Sequence, residues 1–341
     1  MQIAPLAFPE HLPHGYTERD GEPAFDPARH LALERPSALW TLEDFGYDAE
    51  TIEATPSRLA ITAPFRMLSP EGAATLEAIT LDLRRFAQQA QALENFKSNR
   101  NQTFLAGGVY RSRFLRDLCH CPEVLAFCSE LAGTPLGAHS LPSQQVYINY
   151  APEELTADVD VWHADSIGFD YVLLASDPAR FEGGTFEFFV GTRDEAAHYL
   201  DLPAEHLNRG RADGIPDDRV RSIAFPGPGY AIFQQGNYVV HRARRLTRPA
   251  QRVTLIPGLV PLRSQCADMT DLSHIATYGE PGIPAEIARH GAWLAQAKLG
   301  AFLGTVDMNA DFDSLRDQLT SAAADIDRAL TALERHPDAA R

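Results

Sequence analysis

The sequence predicts a mainly β fold with flanking helices. Between residues 144 and 260, short runs rich in β-branched and aromatic residues are separated by Gly, Pro and Asp, as expected for the strands of a sandwich or barrel. On either side, apolar residues recur at three- and four-residue steps, which is typical of amphipathic helices. The strand-like runs are QVYINY, FDYVLLAS, GTFEFFVG, GYAIFQQ and RVTLIPGLV.

Helices are predicted on both sides of the strand-rich segment. Before it, Ser69-Pro70-Glu71 can cap a helix that extends to about residue 100, and a second helix is expected over roughly 113 to 132. After it, residues from Pro284 onward return to helical spacing. The terminal helix carries one apolar stripe, which we expect to pack against the barrel or, alternatively, to form a homodimer interface. The stripe consists of Phe312, Leu315, Leu319, Ile326, Leu330 and Leu333.

These patterns divide one compact domain into three regions. Residues 1–139 are expected to form a helical and irregular region that packs on the core, residues 140–262 the core, and residues 263–341 a C-terminal helical region. Within the core, residues 192–218 interrupt the strand series and are too many for a hairpin turn. We expect this insertion to form a lid over an open face, and its alternative is a solvated loop without a role.

Composition excludes several classes of function. With 46 acidic and 30 basic residues the formal net charge is -16, which disfavours binding to nucleic acid or to anionic membranes. No apolar run approaches the roughly 20 residues of a spanning helix. The first residues lack a basic segment followed by a continuous apolar one, so a secretory signal is not expected and a cytoplasmic location is predicted.

The four cysteines do not suggest a disulfide framework in a chain of this length. Cys119 and Cys121 flank a histidine, but two ligands so close together with no matching second pair are weak evidence for zinc. Reduced structural thiols near a helix are the expected state of Cys119, Cys121, Cys128 and Cys266.

A possible metal site begins at His163-Ala164-Asp165. Residues two apart on a strand point to the same face, so His163 and Asp165 can reach one ion while Ala164 faces away. His241, after the run GYAIFQQ, is the candidate third ligand. Two histidines and one carboxylate on one face of an octahedron suit Fe(II) and leave positions open for a co-substrate and O2. Taken singly, each residue could equally belong to a surface hydrogen bond.

Arg252 and Thr254 share one face of the strand that follows. A guanidinium pointing into a barrel mouth can bind a carboxylate through two parallel hydrogen bonds, and a neighbouring hydroxyl can add a third. The alternative for Arg252 is a strand-end arginine that pairs with surface carboxylates.

In order and spacing, His163-Ala164-Asp165, the distal His241, and Arg252 with Thr254 resemble the Fe(II)/2-oxoglutarate-dependent oxygenases. The resemblance covers roughly residues 140 to 262 and includes the turn Glu182-Gly183-Gly184 and the run Pro226 to Phe233. That run departs from the family pattern by having Tyr230 where an aspartate is usual. The pair Trp162-His163 is similar to the phytanoyl-CoA hydroxylase branch.

The resemblance implies a double-stranded β-helix, a jelly-roll or cupin-like core. It further implies that His163, Asp165 and His241 hold Fe(II), and that Arg252 binds the far carboxylate of 2-oxoglutarate with help from Thr254 and Tyr150. The activity implied is oxidation of a small molecule by O2, most commonly hydroxylation, with decarboxylation of 2-oxoglutarate to succinate.

Substrate contacts are expected from residues close to the ligands in sequence, namely Tyr147, Trp162 and Ser166, although core packing is an alternative for the aromatic residues. Arg111 and Arg113 could bind a substrate carboxylate, which would favour an acidic or amino-acid-like compound. A natural-product intermediate is the other class considered. The simpler interpretation of the two arginines is salt bridges at a helix start.

Two other functions fit the same ligands. A non-catalytic cupin-like module could hold Zn or Ni for structure or sensing, because affinity alone favours those metals over iron. A metal-dependent hydrolase could use an activated water. The discriminating feature is Arg252 with Thr254, since a purely structural metal needs no carboxylate receptor, and a hydrolase would normally need an additional general base.

Overall fold

Two antiparallel sheets both contribute residues to the cavity that contains the candidate ligands. The computed structural model describes residues 2–89, 103–152, 155–156, 158–278 and 280–336. In this part of the chain the strands are β1 (Leu39–Thr41), β2 (Leu59–Thr62), β3 (Phe65–Arg66), β4 (Gln88–Gln89), β5 (Thr103–Leu105), β6 (Leu136–Ala138), β7 (Tyr147–Tyr150), β8 (Asp160–His163), β9 (Phe169–Leu174), β10 (Phe186–Phe189), β11 (Val220–Ile223), β12 (Tyr230–Gln234), β13 (His241–Ala243), β14 (Val253–Ile256) and β15 (Gly258–Pro261).

Eight consecutive strands, β7 to β14, pass back and forth between the two sheets. The large sheet contains the order β12-β9-β14-β7, and the small sheet has the order β11-β10-β13-β8. The pairings within both sets are antiparallel. This strand order is that of a double-stranded β-helix, and it confirms the fold class expected from the sequence.

The large sheet extends beyond these eight strands into the N-terminal region. β5 pairs with β7 and β4 with β5 on one side, while β2 pairs with β12 and β1 with β2 on the other. The region expected to be helical and irregular therefore also supplies strands. Each of them is four residues or fewer, too short to show a period of two in the sequence.

Helices cover the outer face of the large sheet. Ile148 and Tyr150 of β7 point into this layer, whereas Tyr147 and Asn149 lie on the inner face, as alternation along a strand requires. The helices of the described residues are α1 (Pro27–His30), α2 (Ala49–Ala54), α3 (Pro70–Leu83), α4 (Arg113–Cys119), α5 (Pro122–Ala132), α6 (Pro142–Gln145), α7 (Arg193–Leu200), α8 (Leu272–Ile275), α9 (Ile283–Thr305) and α10 (Phe312–Glu334).

The predicted helices begin as expected but are shorter. Ser69 caps α3, since its side chain accepts a hydrogen bond from the Gly72 N–H, yet the helix ends at Leu83. The remainder of the stretch predicted to reach residue 100 is a 3-10 turn, β4 and residues outside the described part. The helix expected over 113 to 132 is two helices, because Pro122 disfavours helical backbone at the residue before it and opens α5. Cys119, Cys121, Cys128 and Cys266 are free thiols, as predicted.

The C-terminal helices α9 and α10 pack against each other through small residues. A Cβ at Gly291 would lie 2.6 Å from the Cβ of Ala329, so glycine permits this close approach. The stripe predicted to pack against the barrel largely faces outward, with Phe312 75% and Leu330 53% exposed. That expectation is wrong, because the small side chains on another face of α10 allow closer contact than the large ones. The buried residues of α10 are Ala322, Asp325, Ala329 and Ala332.

Among the described residues, the search for a helix with the length and apolar character needed to span a bilayer finds none.

Candidate functional site

The three candidate ligands meet on the small sheet. Strands β8 and β13 are neighbours, and their register places His163 opposite His241. Nε2 of His163 lies 3.4 Å from Oδ1 of Asp165, and Nε2 of His241 lies 3.6 Å from Oδ2 of the same carboxylate. Ligand atoms at right angles around an ion with bonds of about 2.1 Å are about 3 Å apart. The three side chains therefore need only small shifts to hold one ion.

Both imidazoles present Nε2 to the cluster. Nδ1 of His163 is 2.7 Å from the carbonyl oxygen of Val161, and Nδ1 of His241 is 2.9 Å from that of Val239. Because a carbonyl oxygen only accepts, each Nδ1 carries a hydrogen and donates it, which leaves the lone pair of a neutral ring on Nε2. Burial lowers the pKa of His241 to about 4, so this ring is neutral at pH 7.

Asp165 lies two residues beyond the end of β8 and is positioned by the chain around β12. Its N–H donates to the carbonyl oxygen of Gly236 at 2.8 Å. Nε2 of Gln234 donates to Oδ2 of Asp165 at 3.3 Å and to Oδ1 of Asp170 at 3.1 Å. Burial, and then the charge of Asp165, raise the pKa of Asp170 well above its usual range, which favours the neutral form of this carboxyl beside the candidate ligand.

Gly236 leaves just enough room for these two carboxyl groups. A Cβ at this position would lie 2.1 Å from Oδ2 of Asp165 and 2.3 Å from Oδ2 of Asp170. We therefore expect Gly236→Ala to displace the ligand and to weaken Fe(II) binding by about 10- to 100-fold, the range seen when the support of a metal ligand is lost. Anaerobic titration with Fe(II) measures the change.

The matched control is Gly227→Ala, where the nearest atom to a new Cβ would be 3.9 Å away. It should bind Fe(II) as the unaltered protein does. If Gly236→Ala bound Fe(II) as tightly as the unaltered protein, Asp165 would not be a ligand.

A cavity of about 70 Å³ connects the three ligands with Arg252 and Thr254. Arg252 is only 2% exposed, so it is not a surface arginine paired with solvent-exposed carboxylates. Its Nε donates to the carbonyl oxygen of Gly184 at 2.9 Å, while its buried Nη1 has no hydrogen-bond partner. Burial lowers the pKa of Arg252 to about 10, which leaves the guanidinium protonated at pH 7.

The turn Glu182-Gly183-Gly184 fixes the direction of this arginine. Gly184 has a φ of +66°, and a Cβ there would lie 2.6 Å from Cδ and 2.8 Å from Nε of Arg252. Glycine is therefore required both by the backbone conformation and by the guanidinium stem that lies against it.

These residues fit a divalent metal ion together with a dicarboxylate. Two imidazoles that present Nε2 and a carboxylate are a donor set for Fe(II), and an unpartnered, buried N–H of a guanidinium is a receptor for a carboxylate. Asp160 adds a second carboxylate, with Oδ2 3.6 Å from Nε2 of His163, and its charge favours the protonated form of Arg252. It lies on β8 three residues before His163, outside the motif on which the sequence prediction rested.

Tyr147 and Ser166 line the cavity, whereas Tyr150 and Trp162 do not. The hydroxyl of Tyr150 donates to the carbonyl oxygen of Thr80 at 2.8 Å, in the layer between the large sheet and its helices. Trp162 packs among apolar residues of the insertion. Both point away from the site because each is adjacent in the strand to a residue that points into it.

Arg111 and Arg113 also lie away from the cavity. The guanidinium of Arg111 lies over the rings of Tyr16 and Phe86, 4.5 and 4.0 Å from their centroids. Arg113 is exposed and pairs with Glu18 at 3.2 Å. The structure thus places Arg113 in the surface salt bridge of the simpler interpretation, and it brings neither arginine to the metal ligands.

Several lining residues were not predicted. A period of two along β7 and β14 identifies Asn149 and Ile256 as neighbours of Tyr147 and Thr254 on the inner face, so that pattern could have found them. The others include Asp160 on β8 and Arg242 and Ala243 on β13, the two strands that carry the histidines, together with residues of helices, turns and other strands that no local pattern relates to the ligands. They are Gln144, Asp160, Ile167, Val172, Phe186, Arg242, Ala243 and Tyr278.

The insertion over residues 192–218 is folded against the ligand strand. It contains α7 and two 3-10 turns, and it makes backbone hydrogen bonds on both sides of His163. Trp162 and Arg211 exchange two such bonds, at 3.0 and 2.9 Å, and the Ala164 N–H donates to the carbonyl oxygen of Leu207 at 3.3 Å. Its closure on substrate binding stays a prediction.

Solved structures similar to this chain were found by comparison of folds. One is the non-heme alpha ketoglutarate dependent carbocyclase SnoK from nogalamycin biosynthesis, at 20% identity and a TM-score of 0.43 over 65% of this chain and 87% of that one. Another is HygX from Streptomyces hygroscopicus with nickel and 2-oxoglutarate bound, at 14% identity and 0.40, over 65% and 87%. A third is a Pseudomonas putida prolyl-4-hydroxylase, at 13% and 0.36, over 63% and 96%.

The likeness is one of fold. Comparison with protein-family models gives no match, and no curated protein is significantly similar to the chain.

Proposed function

We propose that this protein is an Fe(II)- and 2-oxoglutarate-dependent oxygenase that oxidises a small molecule. Hydroxylation is the reaction that we expect. The observation that carries the proposal is the single cavity that joins His163, Asp165 and His241 to Arg252, a buried arginine whose Nη1 has no hydrogen-bond partner. Desolvating a cation and leaving one of its donors unpaired is costly, so a site that does so is built for an anion.

Each side chain has a distinct part in this proposal. His163, Asp165 and His241 hold the metal, and the carbonyl oxygens of Val161 and Val239 keep both Nε2 atoms turned toward it. When bound, the metal would bring O2 and 2-oxoglutarate together. O2 is the oxidant and 2-oxoglutarate the two-electron reductant, whose decarboxylation to succinate and CO2 takes up one oxygen atom and leaves the other for the substrate.

Arg252 and Thr254 orient the co-substrate from the far end of the cavity. The buried position of these residues, at 2% exposure each, excludes bulk water from the charged contact and strengthens it. Tyr150, expected to help them, has its hydroxyl engaged by Thr80 and is left out of the proposal.

The test is succinate release. Purified protein reconstituted anaerobically with Fe(II) and then given 2-oxoglutarate and O2 should form succinate slowly without substrate and faster with it. Protein reconstituted with Zn(II) is the control, because zinc does not change oxidation state and should support none. Complete absence of succinate from the iron-loaded protein would contradict the proposal.

The alternative of a non-catalytic cupin-like module would need the three metal ligands but not Arg252. The same experiment separates the two functions, since a sensing or structural metal site would bind the ion without consuming 2-oxoglutarate. A cytoplasmic location stays a prediction from the sequence.

A homodimer through α10 is a second hypothesis, supported by the apolar side chains that this helix exposes. Leu319, Ile326 and Leu330 are 48%, 38% and 53% exposed on the terminal helix. If they form the interface, the double variant Leu319→Glu/Leu330→Glu should convert a dimer into a monomer in light scattering. A monomeric unaltered protein at micromolar concentration would end the hypothesis.

A further inference from the structure

The cavity has two ends that differ in chemistry. Arg252, Thr254 and Ile256 follow one another along the inner face of β14, each about 6.8 Å from the last. Ile256 is paired with Tyr147 of β7, so these two residues mark an end about 13 Å from Arg252. We call it the distal end, and it is lined by Gln144, Tyr147, Ser166, Ile167, Ile256 and Tyr278.

The metal ligands lie between the two ends. Asp160 is close enough to Arg252 to affect its pKa, which places Asp160 on the arginine side of His163. On the other side, Ile167 follows the ligand Asp165 and approaches Gly258, the residue that opens β15 just after β14. A molecule at the distal end therefore reaches the metal from the side opposite to Arg252.

The distal end has an aromatic wall. Tyr147 and Tyr278 line it, with ring centroids 6.4 Å apart. Phe104 does not line the cavity but stacks on Tyr147 at 5.0 Å and 10° between ring planes, so it supports that ring from behind. The planes of the two tyrosine rings are inclined at 51°, so a bound ring can stack on Tyr147 and meet Tyr278 at an angle.

The polar groups of the distal end are neutral. Gln144 contributes an amide that makes one long contact of 3.4 Å, to the hydroxyl of Ser143, and Ser166 contributes a hydroxyl. Among the described residues that line this end, none is Lys, Arg, Asp or Glu. A carboxylate or an amino-acid zwitterion placed here would lose its hydration without meeting an opposite charge, which is costly.

We propose, on the basis of the proposed function, that the substrate is an uncharged ring compound bearing a hydroxyl or carbonyl group, stacked on Tyr147 and in contact with Tyr278 at an angle. Gln144 and Ser166 then hydrogen-bond its polar group and turn one edge of the ring toward the metal. This replaces the acidic substrate that Arg111 and Arg113 suggested, because neither arginine lines the cavity.

The test compares two probes with the same ring system. Calorimetric titration of the anaerobic protein loaded with Fe(II) and 2-oxoglutarate should detect binding of 2-naphthol, and 2-naphthoate should bind at least tenfold more weakly. Equal affinity for the two probes, or no binding of 2-naphthol, would overturn the proposal.

Variants then locate the bound ring. Tyr147→Ala and Tyr278→Ala should each weaken 2-naphthol binding at least fivefold with unchanged affinity for 2-oxoglutarate. The matched control Tyr147→Phe retains the ring and should stay within twofold of the unaltered protein. Unchanged 2-naphthol binding in both alanine variants would show that the aromatic wall does not bind the ring. Failure of 2-oxoglutarate to bind would contradict the proposed function. The substrate proposal could then still be tested by titrating the two naphthalene probes into protein without 2-oxoglutarate.

Discussion

Removing any one of His163, Asp165 or His241 is expected to abolish iron binding and with it succinate formation. In each alanine variant, the two remaining ligands cannot hold the ion against water at micromolar concentration. The loss of affinity should exceed the roughly 100-fold upper range caused by losing a residue that merely supports a ligand. Iron content after anaerobic reconstitution and desalting, measured together with succinate, gives the result.

The matched control for the histidine variants is His198→Ala. His198 is an exposed residue of α7 outside the ligand set, so this variant should retain both iron and activity. Circular dichroism separates loss of the ligand from loss of the fold. Stoichiometric iron in His241→Ala would sink the assignment, because no other His, Cys, Asp or Glu in the described part of the chain completes a cluster with His163 and Asp165.

Arg252→Ala should mainly affect 2-oxoglutarate. A charge-assisted hydrogen bond contributes about 1.5–3 kcal/mol, so the dissociation constant should rise by about 10- to 100-fold. Iron content should be unchanged, since Arg252 directly precedes β14 of the other sheet and is not one of the candidate ligands. Calorimetric titration of the iron-loaded, anaerobic protein with 2-oxoglutarate measures the constant.

Arg252→Lys is the informative companion variant. Lysine keeps the charge but loses the planar fork and the Nε donor that bonds the carbonyl oxygen of Gly184. An affinity between those of arginine and alanine is expected. If the alanine variant bound 2-oxoglutarate as tightly as the unaltered protein, the arginine would be structural, and the cupin-like alternative would regain its standing.

The core strands could be predicted from the sequence because each is a local pattern. The runs around β7, β9, β10, β12 and β14 are apolar and bounded by turn residues, and all of them are strands in the structure. β1 to β5 could not be predicted in this way. They span two to four residues each and become strands only by pairing with partners distant in the chain.

The sequence predicted that the candidate ligands lie together, but it predicted only part of their surroundings. His163, Asp165, His241, Arg252 and Thr254 all line one cavity, as the motif order suggested. The resemblance implies a role for Tyr150, and nearness to the ligands in sequence suggests one for Trp162, but alternation places each on the face opposite to its neighbour. Applying the period of two as strictly to these as to His163 and Asp165 would have excluded both.

The residues that hold Asp165 in place had no local pattern to reveal them. Asp170 lies on β9, Gln234 on β12 and Gly236 in the turn after β12, and their relation to the ligand exists only once β9 and β12 are paired. The ligands can be predicted because His163 and Asp165 form a local motif. The residues that position Asp165 cannot, because they come from other strands.

The pairing between the insertion and β8 has a consequence for the stability of the folded protein against self-association. β8 is the outermost strand of the small sheet, and an uncovered outermost strand invites another chain to add itself there. Arg211 and Leu207 of the insertion form backbone hydrogen bonds with Trp162 and Ala164 along this edge. The insertion therefore blocks the edge of the strand that bears His163. A shortened chain without it would expose a template for aggregation beside the metal.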